Sequence, residues 1–117
     1  DGVIAMANGV SALDEQEAKA IAKCFESEER MPPVTSLKPL FGETVGACAA
    51  LQVSAALSCF STRTLPPVPE LRNLSNAARV LHLVRGQRTE QLPDRNATLL
   101  VNAADPGGSA FSFILNG

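Results

Sequence analysis

Residues 34–57 read VTSLKPLFGETVGACAALQVSAAL, and this stretch decides the fold. A β-branched run, Val34-Thr35-Ser36, leads into a polar turn of lysine, proline, glycine and acid, and then into a helix of Ala, Val, Leu, Cys and Ser. Gly42 breaks the chain where backbone freedom is needed. Glu43-Thr44 fall where a helix N-terminus exposes unpaired N–H groups. The helix, expected from Thr44 to about Phe60, is apolar all round. It should therefore be a buried core helix, with the polar turn of residues 38–44 brought to its buried end as a plausible site.

Working outward, the same strand-then-helix pattern occurs upstream. Residues 2–7, GVIAMA, predict a short buried strand running into the Asn8-Gly9 turn signal. Asp14 with Glu17 three residues later reads as a capping box. Ala18, Ile21, Ala22 and Phe25 continue at helical spacing to about Phe25. Downstream, residues 65–69, LPPVP, form an extended connector, because each proline fixes φ and biases its predecessor toward extended geometry. Residues 77–84 read as a short strand or a helical turn, an edge element before Arg85-Gly86. Residues 97–103 and 110–115 are two strands joined by the turn Asp105-Pro106-Gly107-Gly108. The order β-α-β-α-loop-β-β predicts an α/β layered architecture closed by a C-terminal hairpin.

At 117 residues the chain is one domain or part of one, and it starts at Asp1 rather than Met, as a fragment of something longer would. A net charge of −2 gives no electrostatic case for nucleic acid or an anionic membrane, and the absence of Trp and Tyr removes most base-stacking platforms. No uninterrupted apolar run reaches the roughly 20 residues of a membrane span. Cys24, Cys48 and Cys59 are odd in number, with no CxxC. They read as reduced thiols, mid-helix in apolar surroundings, in a cytoplasmic protein. His82 is the single histidine and has no ligand-spaced partner, so no metal site is expected.

Four places in this order resemble the C-terminal half of a β-ketoacyl synthase of the thiolase-like fold. Residues 6–17, MANGVSALDEQE, are similar to the HGTGTPLGDPIE motif, with Asp14 and Glu17 in register. Residues 38–46 are similar to KSNIGHTEAAAG, with Lys38 and Gly42 on its lysine and glycine. Leu65-Pro66-Pro67 matches the proline pair after the long helix, and residues 101–109, VNAADPGGS, align without gaps to VNSFGFGGT. The resemblance implies half of a thiolase-like fold, spanning residues 1–117, with the N-terminal half absent.

In that family a cysteine in the other half attacks an acyl thioester. Two histidines from this half assist malonyl decarboxylation and stabilise the enolate, which calls for neutral imidazole donors in a dry pocket. Here Met6 stands at the first histidine position and Glu43 at the second, while Lys38 matches the lysine that tunes the site. The gating phenylalanines become Ala104 and Pro106. The resemblance therefore implies a non-catalytic, chain-length-factor-type subunit of polyketide or fatty acid biosynthesis. Gly42, Ala104, Pro106, Gly107 and Gly108 would line its acyl pocket. Its partners would be an acyl carrier protein and a ketosynthase subunit, or the missing N-terminal half. No cofactor is expected on this chain; acyl-phosphopantetheine would arrive on a partner. The alternative is a divergent condensing enzyme in which a protonated Glu43 replaces an imidazole. By either reading this chain alone should be inactive, and its uncovered faces should associate with another chain or with themselves.

Overall fold

A computed structural model of the chain describes residues 1–105 and 107–117; Pro106, an expected pocket residue, lies outside them. Strands β1 (Gly2–Ile4), β2 (Val34–Thr35), β5 (Thr98–Ala104) and β6 (Ala110–Asn116) form one sheet in the order β2-β1-β5-β6. The first three are parallel, and β6 returns antiparallel beside β5. Strands β3 (Thr64–Leu65) and β4 (Glu90–Gln91) pair in a separate antiparallel ribbon. β1 is buried along its whole length, as a central parallel strand covered on both faces should be. β5 alternates buried and half-buried positions, with Leu99, Val101 and Ala103 inward.

Two helices cover the sheet. Helix α1 (Ser11–Cys24) packs through Ile21 against Val3, Ala5 and Val34 on one face. Helix α3 (Cys48–Thr62) packs on the other, where Ala56, Cys59 and Phe60 meet Ile4, Leu99 and Val101. A short helix α2 (Lys38–Phe41) occupies the turn between β2 and α3, with Pro39 in its first turn, where a missing N–H costs nothing. One 3-10 turn (Val45–Ala47) then leads into α3. The layered β-α-β-α-loop-β-β order with its terminal hairpin is thus present.

Several local expectations change. The Asp14–Glu17 pair is not a capping box: α1 starts at Ser11, and both acids reach back to the β1–α1 turn instead. Helix α3 is not buried all round. Cys48, Gln52, Ala56, Cys59 and Phe60 face the core, while Leu57, 60% exposed, faces outward, as does Val45, 79% exposed, in the 3-10 turn that precedes the helix. On the outer side Ser54, Ser58 and Thr62 donate their hydroxyls to carbonyls one turn back, so their polarity is satisfied within the helix. Residues 45–62 have a mean hydropathy of 1.4, enough by length and composition to cross a membrane; 28% of that window is buried, through the face of α3 that packs on β5. Among residues 77–84, Ala78–Val80 form a 3-10 turn, and Leu83 bridges Val34 at the outer edge of β2. Cys24 is exposed at the end of α1, and Cys48 opens α3 rather than sitting within it.

Candidate functional site

The strand ends and the start of α3 bring Met6, Lys38, Glu43, Cys48 and Gln52 together. β1 delivers Met6 just beyond its last paired residue, and the Ser36 hydroxyl donates to the Met6 carbonyl at 3.4 Å. Residues 34–38 are buried throughout, so Lys38 enters the interior at the first position of α2, only 4% exposed. Its Nζ donates to Glu43 Oε2 at 2.9 Å and to Cys48 Sγ at 3.4 Å, and lies 3.9 Å from Met6 Sδ. Cys48 Sγ and Gln52 Nε2 each lie 3.6 Å from the same thioether. The three positions expected to match the family's catalytic residues therefore do converge, on the Lys38 ammonium.

The electrostatics follow from that contact set. Burial alone would push the Lys38 ammonium down, but hydrogen bonds to Glu43 and Cys48 outweigh it and hold the pKa above the usual lysine value. The Lys38 bond, followed by the Val45 backbone N–H at 2.8 Å, holds the Glu43 carboxyl below the usual range. Glu43 is thus a charged acceptor with both oxygens engaged. Met6 offers only a weak sulfur acceptor. Neither residue presents the neutral N–H donor that an enolate needs.

Glu17 builds the frame of the site. Its carboxylate accepts from Met6 N at 2.8 Å, Ala7 N at 2.9 Å and Asn102 Nδ2 at 3.1 Å, tying β1, α1 and β5 at one point. Ala7 is held at φ +41°, a left-handed conformation uncommon outside glycine. Gln52 Nε2 donates to the Asn102 carbonyl at 2.9 Å, leaving its own Oε1 buried without a donor among the described residues. Burial, the largest influence, raises the Asp14 pKa despite a hydrogen bond from Gly9. The capping-box spacing points Glu17 at its own helix, and nothing in the sequence pattern singles out Gln52. Gln52 lies one turn from Cys48, so helical spacing could have placed both on the buried face. Asn102 carried no signal of its own beyond the hairpin motif.

Beside Met6 opens a cleft of about 360 Å³, lined among others by Leu13, Asn102, Ala104, Gly108 and Phe111. Two of the expected pocket residues, Ala104 and Gly108, lie on it. Gly107 is exposed in the hairpin turn, and Gly42, at φ +71°, closes α2 with its N–H on the Lys38 carbonyl. A second cleft of about 370 Å³ lies across Asp14 and Glu17, between α1 and residues 68–83, away from Lys38. Among the described residues no cluster of His, Cys, Asp and Glu is arranged to hold a metal ion.

Comparison with known proteins bears on the fold and the family. A protein of Streptomyces halstedii described as polyketide beta-ketoacyl synthase 2 is 32% identical over 115 residues, which is 98% of this chain and 26% of that protein. The ketosynthase from module 6 of the bacillaene synthase of Bacillus subtilis 168 superposes with a TM-score of 0.83 at 17% identity, over 99% of this chain and 23% of that one. The chain thus spans about a quarter of the length of each. Residues 1–72, which hold Met6, Glu17, Lys38, Glu43 and Cys48, match the family described as beta-ketoacyl synthase, C-terminal domain. This chain belongs to that family, and its fold is that of the C-terminal half of a ketosynthase.

Proposed function

We propose that this chain is the C-terminal half of a non-catalytic ketosynthase-like subunit of polyketide or fatty acid biosynthesis. Its role is that of a chain length factor: it shapes the acyl pocket of an active ketosynthase and does not itself condense. The observation that carries this reading is the convergence of Met6, Lys38 and Glu43 without an imidazole. The framework of the site is intact, while the groups that would stabilise an enolate are a thioether and a carboxylate. A carboxylate held charged beside developing negative charge repels it, which weighs against the divergent enzyme with a protonated Glu43.

The cleft beside Met6 suits an acyl chain carried on the phosphopantetheine of an acyl carrier protein. Ala104 on its wall is small where the family motif has phenylalanine. The outward face of α3 and the turn before it, with Leu57 and Val45 exposed, fit cover by the rest of the ketosynthase-like protein. The test is reconstitution of the full-length protein with a catalytic ketosynthase and a malonyl-loaded carrier protein. Ala104→Phe should shorten the products while preserving their total yield. Unchanged chain lengths from a folded Ala104→Phe complex would count against the pocket role.

A further inference from the structure

We propose that Cys48 and Lys38 form a peroxide-responsive covalent pair, in which the oxidised thiol condenses with the lysine amine to a sulfenamide. The two groups are 3.4 Å apart and each is 4% exposed, so the partner is fixed and bulk water is largely excluded. They are the first residues of α2 and α3, and a bond between them would staple the two helix starts that frame the site.

The chemistry balances with hydrogen peroxide as the named oxidant. Cys48–SH and H₂O₂ give Cys48–SOH and water: sulfur loses two electrons and the peroxide O–O bond breaks. The Lys38 amine then attacks sulfur, forming the S–N bond and expelling the sulfenic oxygen as a second water. The proton lost from the ammonium leaves to solvent along the exposed side of the site, where the Glu43 carboxylate, 2.9 Å away, is half exposed. A second feature favours the intermediate. Gln52 Oε1 is fully buried without a donor among the described residues, one helical turn beyond Cys48, and its amide touches the thioether that Cys48 also touches. A sulfenic hydroxyl would supply the missing donor.

The other thiols lack this setting. Cys59 is buried against apolar side chains, and Cys24 is exposed at the end of α1. Met6 Sδ, 3.6 Å from Cys48 Sγ, is the competing site of oxidation.

The experiment treats the full-length protein, in a Cys24→Ala background, with hydrogen peroxide and maps its peptides by mass spectrometry. The expected result is a Lys38–Cys48 linked peptide, short of the sum of its parts by the two hydrogens lost, which thiol reductant reverses. Lys38→Arg, which keeps the charge, should abolish the link while Cys48 still oxidises. Cys48→Ser should abolish it in a protein whose circular dichroism is unchanged. Overoxidised Cys48 beside a free Lys38, oxidation confined to Met6, or an unreacted Cys48 would each overturn the proposal.

Discussion

Replacing Glu17 with Gln tests the frame of the site at its centre. The carboxylate takes three donors from three elements: Met6 N, Ala7 N and Asn102 Nδ2, at 2.8, 2.9 and 3.1 Å. A glutamine keeps one acceptor oxygen and turns the other position into an NH₂ group. One backbone N–H then faces a donor, and leaving it unmade in a part-buried setting costs about 1–3 kcal/mol. The bonds that remain fall from charge-assisted to neutral, a further loss of about 1 kcal/mol. The sum is about 2–4 kcal/mol. Urea unfolding of Glu17→Gln against the parent reads it directly, and amide exchange locates it, since the Met6 and Ala7 amides should exchange faster than their neighbours. A solvated acid on a helix surface would change stability by no more than about 0.5 kcal/mol. A change that small, with Met6 and Ala7 protection intact, would refute the view that Glu17 holds the strand end in place.

Three further substitutions probe the same region. Ala7→Gly relieves the positive φ of Ala7 and should stabilise by about 0.5–1 kcal/mol in urea titrations. Asp14, whose folded pKa is raised by burial, binds its proton more tightly folded than unfolded, so its charged form opposes folding. Asp14→Asn should therefore raise the urea midpoint at neutral pH, and the gain should shrink as pH falls below the raised pKa toward the ordinary aspartate value. Gly2→Ala would place a Cβ 2.6 Å from Leu65 Cδ1 and 2.9 Å from Leu99 Cδ2, both in fully buried side chains, and should cost about 1–3 kcal/mol in thermal unfolding.

The elements were legible where a periodic pattern met a turn signal. The hairpin of β5 and β6 followed from runs of β-forming residues on either side of a proline-glycine turn, and β1 from its unbroken apolar run. The exposure of Val45 and Leu57 was not legible, because an apolar helix reads the same whether its second face is covered by its own chain or by another. The position of Met6 was legible only through Asp14 and Glu17, three residues apart. The same spacing suggested a capping box, since local pattern cannot tell an acid that caps its own helix from one that reaches back to a strand. The Cys48–Lys38 contact was missed for a related reason. The buried lysine comes from residues before the helix, and no spacing rule joins position 38 to position 48.

The proposed subunit role requires a site that keeps its frame without the family's catalytic donors. Its most direct test is malonyl decarboxylation by the full-length protein, supplied with a malonyl-loaded acyl carrier protein and followed by mass spectrometry beside an active ketosynthase. No carbon dioxide above the buffer rate should be lost from the protein alone. Decarboxylation that disappears on Glu43→Gln would contradict it, and would make Glu43 a working replacement for the missing imidazole.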